Sequence, residues 1–253
     1  MNKNLLGQLI ITGISGLTLS KEERDFLEIE NIGGVILFSK NYESPAQLAE
    51  LVNSIQSIRN DYPFFIAVDH EGGRVQRFKN GFTHFPSMLE ISKLNSAKII
   101  FDVHRIMAIE LKSCGVNMNF SPCCDILTNE KNKVIGDRAF GKTVEKCSKF
   151  VTAAIRGLQT EKVLACAKHF PGHGSTYKDS HFDLPYVKTS MEDLLNNEII
   201  PFQRAIKSKV EFVMMAHLVV DSIDPDKPCS ISAKTHQFLR EKLRYKNIII
   251  SDD

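Results

Sequence analysis

Residues 168–185, KHFPGHGSTYKDSHFDLP, hold three of the eight histidines together with two aspartates, two glycines and two prolines. The stretch has no helical or strand period and follows a short apolar run, 163–167. The spacing therefore predicts a loop at the carboxyl end of a buried strand, where α/β proteins hold reactive groups on a rigid base. Within it Asp179 stands two residues before His181. In a turn, that separation lets a carboxylate fix the tautomer of an imidazole and stabilise its protonated form. His181 is the candidate general acid/base and Asp179 its orienting partner. A histidine in a loop rich in glycine and proline also serves as a solvated group or a turn hydrogen-bond partner, and His173 is read as ordering the loop.

A second chemical stretch follows another apolar run, 64–68. It reads Asp69-His70-Glu71-Gly72-Gly73-Arg74-Val75-Gln76-Arg77. A carboxylate at a strand end accepts hydrogen bonds from ligand hydroxyls, paired glycines let the backbone turn sharply, and Arg77 adds a fork of donors. The bland alternative is a charged, solvated turn. A third stretch, 134–141 (VIGDRAFG), is a loop carrying Arg138, and Asp125, after Cys123 and Cys124, is read as structural.

Together, KHFPGHG, DSH, DHEGGRVQR, VIGDRAFG and the final SDD (Ser251-Asp252-Asp253) resemble the family 3 glycoside hydrolases of the bacterial β-N-acetylglucosaminidase kind, in the order that family uses. The resemblance spans nearly the whole chain. It implies Asp252 as the nucleophile of a retaining hydrolase, with His181, oriented by Asp179, as acid and then base. It also implies Asp69, Arg77, Arg138, Lys168 and His169 as the groups that bind the sugar. No metal or organic cofactor is required. The implied activity is exo-hydrolysis of β-linked N-acetylglucosamine, with a muropeptide or another β-N-acetylglucosaminide as substrate, in a bacterial cytoplasm and in the service of cell-wall recycling. A related β-glycosidase or phosphate-using glycosidase, and an inactive or merely sugar-binding remnant, stand as alternatives. The chain departs from the family before SDD, where Arg244 and Asn247 replace two glycines.

Groups so far apart in sequence need a scaffold with many strand ends on one side. Apolar runs at 9–12, 32–38, 64–68, 115–122, 163–167, 212–217 and 248–250 read as seven strands. Helical stretches separate them, starting after Ser20 and at 45–59, 97–114, 144–160, after Ser190 and 234–244. This alternation, in 253 residues, predicts an α/β fold of the (β/α)8 TIM-barrel type as one domain, 1–253, truncated after the seventh strand and lacking the closing βα unit. Open barrel edges would then favour self-association. A formal net charge of +2 with 43% hydrophobic and 25% charged residues gives no reason to invoke nucleic acid or a membrane surface. The six cysteines lack the paired spacing of a structural zinc site and are expected to be reduced, packing as small apolar groups.

Overall fold

The computed structural model describes residues 3–176 and 184–252. Asp179 and His181 fall outside them. Seven strands form one sheet: β1 (Ile11–Gly13), β2 (Gly34–Leu37), β3 (Phe65–Val68), β4 (Met118–Asn119), β5 (Leu164–Phe170), β6 (Phe212–Met215) and β7 (Ile248–Ser251). Their order in space is their order in the chain, and every pairing is parallel. Each crossover carries helix, as parallel neighbours require. The main helices are α1 (Lys21–Ile29), α2 (Pro45–Gln56), α3 (Ala97–Ser113), α4 (Val144–Thr160), α5 (Met191–Asn196), α6 (Ile199–Lys207) and α7 (Ala233–Gln237).

Local sequence explains where these helices begin. Ser20 and Glu23 cap α1 reciprocally, Pro45 follows the capping Ser44 of α2, and Thr143 accepts the amide of Lys146 at the start of α4. The apolar stripe of α4, including Phe150, Val151, Ala154, Ile155 and Leu158, is buried in one core between helices and sheet. A second core joins α1, α2, β2 and β3.

The inner face of the sheet forms its own cluster. Ala67, Met118, Cys166, Phe212 and Met214 are buried there, with Ile11, Ile36 and Ile250 packed against them, so every strand of the sheet contributes. The Phe65 and Phe212 rings, from β3 and β6, meet edge to face with centroids 5.4 Å apart. In a flat sheet these strands, three positions apart, would lie about 14 Å from one another. The sheet is therefore curled in the manner of a TIM barrel, with β1 and β7 as its edges.

Several boundaries differ from the sequence reading. Gly7–Leu9 form a 3-10 turn, so β1 starts only at Ile11, and β4 shrinks to two residues. The expected helix over 234–244 changes from α-helix to a wider π turn after Gln237. The main correction concerns β5, which runs on through Phe170 and takes Lys168 and His169 into the strand rather than the loop. Its neighbours keep pairing past the apolar run: Lys168 bridges Cys123, and Phe170 pairs with Met215. All six cysteines are free and buried.

Candidate active site

A cavity of about 1170 Å³ opens at the carboxyl ends of the strands, lined among others by Asp69, Arg77, Arg138, Lys168, His169 and Asp252. Four chain segments bring these residues together, and each does so for a local reason.

The first is the end of β3. The Asn119 side chain accepts from the His70 amide at 3.0 Å and donates to its carbonyl at 2.9 Å, fixing the backbone between Asp69 and Glu71. Positions 69 and 71 share a face of an extended chain. The segment then folds back as a small hairpin of His70–Gly72 against Val75–Gln76. Its turn needs φ of +92° at Gly72 and +57° at Gly73, which glycine adopts without steric cost. The hairpin returns Arg77 to the cavity with Nη2 3.6 Å from Asp69 Oδ2, while its buried Nε has no partner among the described residues.

The second segment is the loop after β4. Arg74 Nε donates to Asp137 at 2.9 Å and its Nη2 to the Val134 carbonyl at 2.6 Å, so the hairpin grips the loop that carries Arg138. Arg138 closes a short 3-10 turn and makes a two-pronged pair with Glu71: Nη2 to Oε1 at 2.8 Å and Nε to Oε2 at 2.9 Å.

The third is the end of β5. Successive strand residues normally face opposite sides, but the pairing of β5 with β6 shifts register between Ala167 and Phe170. Such an irregularity re-aims side chains, and both Lys168 and His169 line the cavity. Lys168 Nζ lies 2.6 Å from Asp69 Oδ1 and 2.6 Å from Glu71 Oε1. His169 Nδ1 lies 2.6 Å from Asp125 Oδ2, and its Nε2 lies 3.2 Å from Arg138 Nη2. The fourth segment is the end of β7, where the Asp252 amide donates to the Met215 carbonyl at 2.9 Å and holds the residue beside β6.

These groups form a chain of alternating charge, from Arg77 through Asp69, Lys168 and Glu71 to Arg138. Burial alone would raise the Asp69 and Glu71 carboxyls. The Lys168 ammonium, and at Glu71 first the Arg138 guanidinium, outweigh it and hold both below the ordinary carboxylate value. Burial would likewise weaken the two cations, yet Asp69 and Glu71 hold Lys168 above its usual value, and Glu71 does so for Arg138. All four are therefore charged at neutral pH, fixed and largely dehydrated. Such preorganised charge acts strongly on a bound ligand because it needs no reorganisation.

Asp125 lies beneath the site, fully buried, and accepts from the His173 amide at 2.7 Å, from His169 Nδ1 and from Cys123 Sγ at 3.2 Å. Burial raises its carboxyl, but His169 and His173 hold it below the ordinary value. Cys123, Asp125 and His169 offer three donor atoms within 4.8 Å of one another, the kind of set a metal ion uses. The hydrogen bonding does not suit an ion. Arg138 can only donate, so His169 Nε2 must accept, and the neutral ring carries its proton on Nδ1, aimed at Asp125. Burial, then the Asp125 charge, also pushes the Cys123 thiol well above its ordinary value, away from the thiolate a metal would need. His173 donates its amide to Asp125, and its Nδ1 lies 2.7 Å from Thr176 Oγ1, which orders the first part of the loop as its sequence suggested.

Among the described residues the structure thus brings six of the eight sequence-predicted site residues to one cavity; Asp179 and His181 lie outside the described part. Sequence reasoning passed over Glu71. The available signal was its place in DHEGGRVQR, two residues after Asp69 and so on the same face.

The fold and the cavity define a TIM-barrel-type α/β protein with a polar, charged site at its strand ends. The chain belongs to glycosyl hydrolase family 3: the model of that family's N-terminal domain matches residues 3–253. A curated relative from Nitrosomonas eutropha, described as a beta-hexosaminidase, is 40% identical over 255 residues, which cover 98% of this chain and 72% of the relative. Among solved structures, the family 3 β-N-acetylglucosaminidase of Paenibacillus sp. str. FPU-7 superposes with a TM-score of 0.97 at 37% identity, covering all of this chain and 49% of that one. This chain therefore spans about half the length of the Paenibacillus protein. NagZ from Neisseria gonorrhoeae, solved in complex with N-trifluoroacetyl-D-glucosamine, superposes with a TM-score of 0.91 at 35% identity, covering 97% of this chain and 74% of that one.

Proposed function

We propose that this domain, residues 1–253, is a retaining exo-β-N-acetylglucosaminidase that removes terminal β-linked N-acetylglucosamine from peptidoglycan fragments in the cytoplasm, as a step in cell-wall recycling. The observation that carries the reading is the convergence of Asp69, Arg77, Arg138, Lys168, His169 and Asp252 on one cavity of about 1170 Å³. That volume lies just above the usual range of small-ligand sites, about 300–1,000 Å³, and accommodates a sugar with part of its aglycone. The Neisseria protein's complex with an N-acylated glucosamine supports the choice of sugar. Asp69 accepts from sugar hydroxyls, and Arg77, which lines the same cavity, donates to them. Arg138, Lys168 and His169 fix the remaining edge of the ring.

In the proposed reaction the Asp252 carboxylate attacks the anomeric carbon and forms a glycosyl ester. His181, oriented by Asp179, gives its proton to the departing aglycone oxygen. His181 then takes a proton from water, the water oxygen attacks the anomeric carbon, and the ester bond to Asp252 breaks, returning both groups to their starting state. Net retention follows from two inversions. Two copies of the chain would associate through the edges of β1 and β7, with Leu9 and Ile10 exposed just before β1 and Ile248 exposed in β7.

The test is hydrolysis of a chromogenic β-N-acetylglucosaminide by the parent chain and by Asp252→Ala and His181→Ala, with the first-formed anomer followed by NMR. Turnover with a β-anomer product, abolished by Asp252→Ala and reduced at least about a hundredfold by His181→Ala, is the expected result. Preference for a β-glucoside, a requirement for phosphate, or an α-anomer product would each replace this reading with another glycosidase chemistry.

A further inference from the structure

The proposed reaction accounts for the sugar side of the cavity and leaves its aglycone side without assigned residues. Four of the lysines and arginines that line the cavity already have carboxylate partners. Arg74 pairs with Asp137 at 2.9 Å, Arg77 with Asp69 at 3.6 Å, Arg138 with Glu71 at 2.8 Å, and Lys168 with both Asp69 and Glu71 at 2.6 Å. The other two, Lys131 and Lys133, are exposed, and neither ammonium group has an ion-pair or hydrogen-bond partner among the described residues. Glu130, next to Lys131 in the chain, pairs with Lys142 instead.

The backbone that carries the two lysines is held from both sides. Asn132, buried between them, donates from Nδ2 to the His173 carbonyl at 2.7 Å and accepts from the Ile135 amide at 2.9 Å. Asn129 donates from Nδ2 to the Thr176 carbonyl at 3.0 Å and accepts from the Lys131 amide at 3.0 Å, while Arg74 Nη2 donates to the Lys133 carbonyl at 2.9 Å. The lysine turn is thus tied to residues 173–176, the strand-side part of the stretch that carries His181. In the proposed reaction the leaving oxygen takes its proton from that stretch, so the aglycone lies beside it. We infer that Lys131 and Lys133 form a subsite for an anionic aglycone, one that bears a carboxylate close to the scissile bond. N-acetylglucosamine has no charge, so the pair acts on what the sugar is joined to. In a peptidoglycan fragment that group is the lactyl carboxylate of muramic acid. The assignment rests on the glycosidase reading of the same cavity. Ammonium groups that stay hydrated attract a carboxylate weakly and in a salt-dependent way, so the pair supplies selectivity between aglycones rather than tight binding.

The experiment is steady-state hydrolysis, by the full chain at low ionic strength, of the β-1,4-linked disaccharide of N-acetylglucosamine and N-acetylmuramic acid. Beside it runs the same disaccharide with its lactyl carboxylate converted to the methyl amide, which keeps linkage and size and removes the charge. The parent is expected to favour the acid about 3- to 10-fold in kcat/KM, mainly through KM, with the advantage shrinking as sodium chloride is raised. Lys131→Ala combined with Lys133→Ala is expected to abolish that preference while turnover of the amide stays within about twofold, and Lys131→Arg combined with Lys133→Arg to keep it. Both lysines are exposed, so the substitutions leave the core intact. A parent that does not distinguish acid from amide, or a double alanine variant that keeps the preference or loses both substrates equally, overturns the inference and leaves the glycosidase reading standing. Absence of turnover of either substrate by the parent overturns the glycosidase reading. Calorimetric binding of the S-linked forms of the two disaccharides then decides the subsite, which falls if the acid binds no better than the amide or if the double alanine variant keeps the difference.

Discussion

His70 and His104 show how single buried residues set the response of this protein to pH. His70 is fully buried against the rings of Phe78 and Phe82, at centroid distances of 5.8 and 5.5 Å, and neither of its nitrogens has a partner among the described residues. His104 lies 2.8 Å from the Ile100 carbonyl through Nδ1, while its Nε2 has no partner among the described residues. Burial pulls both imidazoles down from 6.5 to about 4. Between those values the unfolded chain takes up protons that the folded chain refuses, so stability falls as pH falls through that window. From pH 7 to pH 5 each such histidine costs about 2 kcal/mol. Asp69, Glu71 and Asp125 act lower on the scale: their folded values are depressed, so their contribution is present above the ordinary carboxylate range and is lost as pH falls through the folded values. Urea denaturation at pH 7 and pH 5 separates the two effects. The parent is expected to lose about 4 kcal/mol between them and His70→Phe about 2 kcal/mol. The comparison is of slopes, so it survives any constant offset from repacking the ring. Equal losses in the two proteins would show that His70 titrates normally in the fold.

At the scale of elements, α3 and α4 pack together more extensively than any other helix pair among the described residues, and their contact at Gly157 explains why a poor helix former stands inside α4. A Cβ there would lie 2.5 Å from the Phe101 carbonyl oxygen and 2.9 Å from His104 Cβ. By intrinsic propensity Gly157→Ala would stabilise the helix by about 1 kcal/mol. The backbone of α3 cannot yield as a flexible side chain would, so the variant is instead expected to be about 1–3 kcal/mol less stable in the same urea assay, the usual cost of overpacking. A stabilised variant would mean that the two helices can separate freely. The elements also show which parts of the structure could be read in advance. Seven apolar runs separated by helical stretches gave the strand order, because parallel strands buried on both faces must be apolar throughout. The extension of β5 could not be read that way: Lys168 and His169 look like loop residues until Asp69, Glu71 and Asp125 are known to sit against them. Glu71 went unread for the same reason. Its partner Arg138 is 67 positions away, on the loop after the neighbouring strand β4, and the pairing of β3 with β4 brings the two together.

For the molecule as a whole, the inner face of the curled sheet and its two edges matter most. Asp125, Cys123 and the β4–β5 region are sealed within the core, but β1 pairs only with β2, and β7 only with β6, among the described residues. The cavity is bordered by Leu9, Ile10 and Ile11 on one side and by Ile250, Ser251 and Asp252 on the other. Leu9 is 78% exposed, Ile10 48% and Ile248 47%, so apolar side chains flank two rows of strand amides and carbonyls. Such edges recruit further strands unless charge or proline blunts them. A specific association would have to cover about 1,000 Å² or more. Sedimentation velocity of the 253-residue chain across a range of concentrations is expected to show reversible association. Leu9→Lys combined with Ile248→Lys is expected to shift the equilibrium towards monomer at least about tenfold, since each lysine would place an ammonium in an apolar contact. Leu9 also borders the cavity and Ile248 does not, so Ile248→Lys by itself tests the β7 edge away from the site. A parent that stays monomeric at every concentration would show that the apolar residues of β1 and β7 are satisfied within the curl of a single sheet.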